Sequence, residues 1–434
     1  MRNIFPVFFT LISLVTYSQQ TDWQHKDPQK DSLFGMSVER VYNGLLKNKK
    51  SQTVIVAIID SGLDTAHADL KKVLWRDKKT ELNGWNYIGA ETGREDVTML
   101  VANRKDFYDS LSYTFVPEQY RKGYQAYRKV APALEGKISA MKNFIQQLQQ
   151  YDTGDAKELT KLANHHLEHG LNINNAEADT AKGDADVTPD KIGPLPNPNL
   201  APWHGTHVAG IVGAVRNNNE GMDGVADNVQ LMTLKVNGNI RELRDKSLAD
   251  AIRFAVDHGA KVINISMGKP YTWNKKAVDE AVNYAMKKDV MIIHAAGNTG
   301  ENIDIADNFP NKRYADSTGQ ANGWIEVGAS DKKGNAADFS NYGKVNVDVF
   351  APGVDIYSTI PGNKYESWSG TSMAAPMVAG LAALIRGYNP KLTAVQVKDI
   401  IMQSVVKRDA LKDKCVSGGI VNAYNALKLA ATYK

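Results

Sequence analysis

From about residue 50 the chain alternates short β-branched apolar runs with segments of helical periodicity. Residues 54–59 read Val-Ile-Val-Ala-Ile-Ile, too uniformly apolar for a strand wetted on one face. Such a run suits a central parallel strand covered on both sides. Similar runs occupy 231–236, 262–266, 290–295 and 345–351. Between them, 247–257 places Ala251, Phe254 and Ala255 on one helical face, and 277–288 repeats the pattern. This alternation predicts an α/β fold, a central parallel sheet flanked by helices. Ligands of such sheets bind beyond the carboxyl ends of the strands. Polar residues directly after each run are therefore where chemistry is expected.

Two regions depart from that pattern. From about residue 93 to 200 strand signal is weak. Tyr120, Tyr124, Tyr127, Ala131, Leu134, Ile138, Met141, Ile145 and Leu148 follow a four–three spacing, the seam of one or two helices with a break near Pro132. A second helix is predicted over 155–169, stopped by Gly170. A polar loop rich in Ala, Asp and Asn follows, which favours a projecting helical hairpin over a core-facing stripe. At the start, Arg2, an apolar stretch over 4–15 and Thr16-Tyr17-Ser18 read as a secretory signal cleaved before Gln19. A secreted or periplasmic location is the expectation.

Composition narrows the class. The 434 residues include 52 Lys+Arg against 48 Asp+Glu, a formal charge of +4 with no long run of one sign. A dedicated nucleic-acid binder would show a concentrated basic stripe. Cys415 is the single cysteine, so neither an internal disulfide nor a cysteine zinc site can form. No stretch reaches the roughly 18 apolar residues of a membrane span.

The chemistry-bearing segments stand at element ends. Asp60-Ser61-Gly62 closes the first strand, His204-Gly205-Thr206-His207 opens a small-residue helix, and Gly370-Thr371-Ser372-Met373-Ala374-Ala375-Pro376 opens another. A serine becomes a nucleophile when an imidazole takes its proton, and a carboxylate fixes that imidazole's tautomer and stabilises its cation. A fourth segment, Ala295-Ala296-Gly297-Asn298, follows the run 290–295. An amide aimed at a developing oxyanion stabilises a tetrahedral intermediate. Each piece alone is weak, a turn or a cap; their joint occurrence in the order Asp, His, Ser is specific.

With these motifs the sequence resembles the subtilisin-like serine proteases, the subtilases, over roughly 50–92 and 200–430. The resemblance implies Asp60 as orienting acid, His204 as general base and acid, and Ser372 as nucleophile. It further implies an oxyanion hole built from Asn298 and the Ser372 N–H. Ser266, Met267 and Gly268 would be the strand that adds a substrate peptide along its edge. Phe339-Ser340 and the segment Val349-Phe350-Ala351-Pro352-Gly353 match further landmarks that serve packing. The implied activity is hydrolysis of protein or peptide substrates through an acyl-enzyme, with no cofactor for catalysis. The domain plan is a signal at 1–18, an N-terminal segment at 19–50, and a peptidase domain at 51–434 interrupted by the helical insert.

Two features depart from compact family members. Asp60 and His204 stand 144 positions apart, a gap the insert accounts for. Only 32 residues separate Gln19 from residue 51, fewer than the about 40 that fold alone without staples. An inhibitory pro-domain therefore has little room there. A non-catalytic peptide binder and a small-substrate esterase remain rival classes.

Weaker signals are weighed individually. His165 and His169 have zinc-compatible spacing but read as a solvated helix end. Asp184, Asp186 and Asp190 lack the glycine of a calcium loop, Pro189 standing in its place. His207 reads as a packed residue. Asp69 and Asn218, in Asn217-Asn218-Asn219-Glu220-Gly221, resemble a structural calcium site of the family. A polar turn explains the same residues equally well.

Overall fold

The computed structural model describes residues 22–87, 202–237, 243, 245–269, 272, 274–317 and 319–433, with residue 146 alone between them. The signal segment, the helical insert with its heptad seam, the His165/His169 pair and the three alternating aspartates lie outside the described residues.

The chain's first strand, β1 (Val54–Asp60), sits deep inside a largely parallel sheet. Its neighbours are β3 (Val229–Lys235) on one side and β4 (Val262–Ile265) on the other. The order continues beyond β3 to β2 (Gly84–Asn86). Beyond β4 come β5 (Met291–Ala295), β6 (Trp324–Ser330) and β7 (Val349–Pro352), all parallel. The antiparallel pair β8 (Ile356–Ile360) and β9 (Lys364–Trp368) stands apart as a hairpin. Short strands β10 (Val406–Lys407) and β11 (Gly419–Ile420) finish the sheet beside β7.

Successive residues of β1 serve different layers. Val54, Val56 and Ile58 enter one apolar core, Ala57 and Ile59 the other, the two-residue period of a strand. The first core is closed by helices α2 (Trp203–Gly213), α5 (Thr371–Tyr388), α6 (Ala394–Gln403) and α7 (Ala423–Ala430). The second is closed by α3 (Asp245–Asp257) and α4 (Lys275–Lys287). Each fully buried isoleucine contributes about 1.5–3 kcal/mol, so burial on both faces is why this run tolerates no polar residue before Asp60.

The segment at 19–50 is not a separate unit where it is described. Met36, Val38, the short helix α1 (Val38–Arg40), Val41 and Leu46 belong to the first core. Ala423 N–H donates to the Met36 carbonyl at 2.7 Å, and Tyr42 Oη donates to the Val225 carbonyl at 3.0 Å.

One sequence expectation needs correction. The run 345–351 becomes strand only from Val349. Val345 is 64% exposed, and its N–H and that of Asn346 donate to the Asp304 carboxylate instead of to a neighbouring strand. Strand β6, by contrast, was not legible as an apolar run. Glu326 stands in its middle, buried and satisfied by side chains of this sheet.

Candidate active site

Asp60 is the last residue of β1 and is buried. Its Oδ1 accepts the Ser61 N–H at 2.7 Å. His204, the second residue of α2, donates from Nδ1 to Oδ1 at 2.8 Å and lies 3.0 Å from Oδ2. Glycine makes this docking possible. A Cβ on Gly205 would lie 1.9 Å from the Gly62 carbonyl oxygen, and Gly62 itself has φ +89°, a region side chains avoid. With those two glycines the helix start rests directly on the strand end, and Gly205 N–H donates to Ser61 Oγ at 3.1 Å.

The His204 side chain is 37% exposed, facing the cleft. Its partial burial works against the imidazolium, but the charge and hydrogen bond of Asp60 outweigh that and hold its pKa above the ordinary histidine value. The second histidine of the motif differs. His207 is buried, stacks on Trp368 with ring centres 4.7 Å apart, and pairs Nε2 with the Glu366 carbonyl at 3.1 Å. Burial pushes its pKa down to about 4. It is a packed residue.

Ser372 is the second residue of α5, and Pro376 lies four residues on in the same helix. Proline has no N–H, so the Ser372 carbonyl has no helical donor. The Ser266 hydroxyl donates to it instead, at 2.9 Å, and the Ser372 hydroxyl donates in return to the Ser266 carbonyl at 2.8 Å. This reciprocal pair ties the helix start to the segment after β4. The Ser372 hydroxyl is thus engaged with Ser266 O.

Asn298 follows β5, and its amide orientation is determined by its partners. Oδ1 accepts both the N–H and the Oγ1–H of Thr371, each at 2.9 Å. A backbone N–H can only donate, so the oxygen faces Thr371 and the NH2 is left for the cleft. His204, Asn298, Gly370 and Ser372 all line one open cleft of about 410 Å³.

The 266–268 segment adjoins it through the bond between Ser266 and Ser372. The last residue of β1 paired with β4 is Ile59, level with Ile265, so that ladder does not continue along 266–268. Ser266 O faces Ser372, whereas Met267 O accepts from His294 Nε2 at 2.9 Å on the opposite side. Lys269 pairs with Phe309 on that same opposite side. By strand alternation the peptide groups of Gly268 share the side of Ser266. A Cβ on Gly268 would come within 3.0 Å of Asn308 Oδ1 and 3.2 Å of the Phe309 carbonyl, so the position is open only to glycine unless its neighbours move.

Asp69 and Asn218 come together without forming an ion site. Asp69 is buried, and its Oδ1 accepts the Asn218 amide while its Oδ2 accepts the Tyr365 hydroxyl at 2.9 Å. The Glu220 N–H donates to Asn218 Oδ1 at 3.0 Å, so the amide turns its NH2, not its oxygen, toward the carboxylate. Calcium needs oxygens converging on one point. The arrangement does not fit the ion, and the polar-turn reading describes what is present; among the described residues no group of three or more His, Cys, Asp or Glu side chains converges.

Sequence reasoning missed His294, Glu326, Asn308 and Tyr365. One signal was available: a histidine inside the apolar run 290–295 must find a partner if that run is buried.

A family model described as the subtilase family matches residues 51–422. The chain belongs to the subtilase family. Among curated proteins it is 38% identical to subtilisin Savinase of Lederbergia lenta over 223 residues, which is 51% of this chain and 74% of that one. It is 37% identical to thermitase of Thermoactinomyces vulgaris over 225 residues, 52% of this chain and 75% of that one. A thermophilic serine proteinase of a Bacillus species is 40% identical over 233 residues, 52% of each. The chain spans about half the length of several of the relatives it matches. Among solved structures, a protease from Pseudoalteromonas arctica aligns over 95% of this chain and 98% of its own, with TM-score 0.59 and 23% identity. A cold-adapted subtilisin-like serine proteinase aligns over 86% and 89%, with TM-score 0.52 and 19% identity. These two likenesses bear on fold alone. The largely parallel sheet flanked by helices is that of a subtilase, and among the described residues no helix is long and apolar enough to cross a membrane.

Proposed function

We propose that this subtilase is a secreted or periplasmic serine endopeptidase that hydrolyses protein or peptide substrates through an acyl-enzyme. One observation supports the reading most: the Asp60–His204 pair, Ser372 and the free Asn298 NH2 open on a single cleft beside the 266–268 edge.

In this reading a substrate peptide lies along 266–268 with its scissile carbonyl over Ser372. His204 takes the Ser372 proton as Oγ attacks, and Asp60 stabilises the imidazolium. The oxyanion is met by Asn298 Nδ2 and the Ser372 N–H, at the positive end of α5. His204 then protonates the leaving amine, and water repeats the sequence to release the acid. Every group this acyl transfer uses is a side chain or backbone N–H of this chain. The signal at 1–18 is read as removed on export, and the insert at about 93–200 as a helical addition after which the chain returns at Trp203, immediately before His204.

A fluorophosphonate should label Ser372, and Ser372→Ala should abolish hydrolysis while leaving the fold intact. Substantial activity in a folded Ser372→Ala protein overturns the assignment. An esterase of the same triad would favour a small ester over casein by a margin that a peptidase does not show.

A further inference from the structure

β5 ends three residues before Asn298, and it carries a histidine in a fully buried position. His294 Nδ1 lies 2.7 Å from Glu326 Oε1, and its Nε2 lies 2.9 Å from the Met267 carbonyl oxygen. A carbonyl only accepts, so Nε2 must bear a proton. One further proton lies between Nδ1 and Oε1, whichever atom holds it. Glu326 is itself held: Oε2 accepts the Trp324 indole N–H at 2.8 Å, and its backbone N–H donates to Asp348 Oδ2 at 2.8 Å. In either case Nε2 keeps its proton, and the ring has one direction in which to point it.

That direction is toward the substrate edge. Ile265 is the last residue of β4 paired with β5. Two residues on, the Met267 carbonyl meets a side-chain donor where a sheet would have supplied a backbone one. We infer that His294 is a positioning residue, its ring held by Glu326, which holds Met267 O on the far side and so keeps the peptide groups of Ser266 and Gly268 turned to the substrate. The inference rests on the peptidase reading, since it assigns how that site receives its peptide. Asn308 extends the same frame: its Nδ2 donates to the Ala296 carbonyl at 3.1 Å, and its Oδ1 lies beside Gly268. One cluster thus joins the substrate segment to the loop that leads to Asn298.

The test uses the full chain, with active sites counted by fluorophosphonate so that loss of folded enzyme is not read as loss of binding. In His294→Ala, KM for a tetrapeptide anilide should rise roughly tenfold, the scale of one hydrogen bond, with the change in KM exceeding that in kcat. Glu326→Gln alone should keep KM within about twofold of wild type, because its amide can donate to Nδ1 and accept from Trp324 while Nε2–H still reaches Met267. Imidazole nitrogen NMR on Ser372→Ala protein gives a readout that does not depend on turnover or on folding of the His294 variant. It should find His294 Nε2 protonated. An unprotonated Nε2, or a fully labelled His294→Ala enzyme with unchanged KM, overturns the role of His294 while leaving the peptidase reading intact. Failure of the wild type to label with fluorophosphonate overturns the peptidase reading instead.

Discussion

Replacing Thr371 with valine removes one buried hydroxyl and leaves the helix backbone in place. Two bonds go with it: Oγ1–H to Asn298 Oδ1 at 2.9 Å, and the Gly297 N–H to Oγ1 at 3.1 Å. The Thr371 N–H to Oδ1 remains, so the Asn298 amide keeps one of its two restraints. A neutral hydrogen bond contributes about 1 kcal/mol, which corresponds to roughly a fivefold fall in kcat if that restraint is felt only in the transition state. The ceiling is the cost of losing the donor outright, about 10²–10³ in kcat, a magnitude established on a subtilisin and not worked from this structure. Wild type, Thr371→Val, Thr371→Ser, Asn298→Ala and the Thr371→Val/Asn298→Ala double variant would be compared on a peptide anilide after active-site titration. Thr371→Ser should behave as wild type. Thr371→Val should lose kcat with little change in KM, and should lose nothing further once Asn298 is alanine, because its effect passes through that amide. An equal loss in both backgrounds refutes the argument.

The raised pKa of His204 places the acid limb of kcat/KM above the ordinary histidine value of 6.5, and Asp60→Asn should move that limb to lower pH as well as slow the enzyme; a pH–rate profile with an unmoved limb contradicts the pairing. For stability the sign follows from the same shift: the Asp60–His204 pair stabilises fully below 6.5 and its contribution fades as pH rises through the folded-state pKa. Buried His25 and His207 act oppositely, each with its pKa pushed down to about 4 by burial, so the fold resists protons the unfolded chain accepts. Stability should therefore fall between pH 6.5 and 4, at up to about 1.4 kcal/mol per pH unit for each ring, and urea melts of His207→Gln should show a shallower slope. Chelation should leave the melting temperature unchanged, whereas Tyr365→Phe should cost about 1–3 kcal/mol by stripping a donor from buried Asp69; a chelator-induced drop would restore the calcium reading.

How much of this was legible without coordinates depended on range along the chain. The parallel strands were legible because their buried runs must be apolar on both faces, and the motifs because each stands where such a strand or helix ends. Asp60, His204, Ser372 and Asn298 could be singled out by residue type and local glycines alone. Their meeting at one cleft follows from strand order, which brings the ends of β1, β4 and β5 side by side from positions scattered over more than two hundred residues.

Local sequence determined the elements and named the chemistry; tertiary packing decided which atoms answer each other. Nothing in Ala-Ala-Gly-Asn says that Thr371 will take the amide oxygen and leave the NH2 free. Nothing in the run at 290–295 says that its histidine will find Glu326, because the carboxyl group that satisfies it lies 32 residues away on the next strand. For Asp69 and Asn218 the same residue types are compatible with an ion or with a direct hydrogen bond. Tyr365, 296 positions from Asp69, and the Glu220 N–H settle the orientation of the pair. A hydrogen bond depends on direction over less than 3.5 Å, and only the folded chain sets direction between residues so distant in sequence.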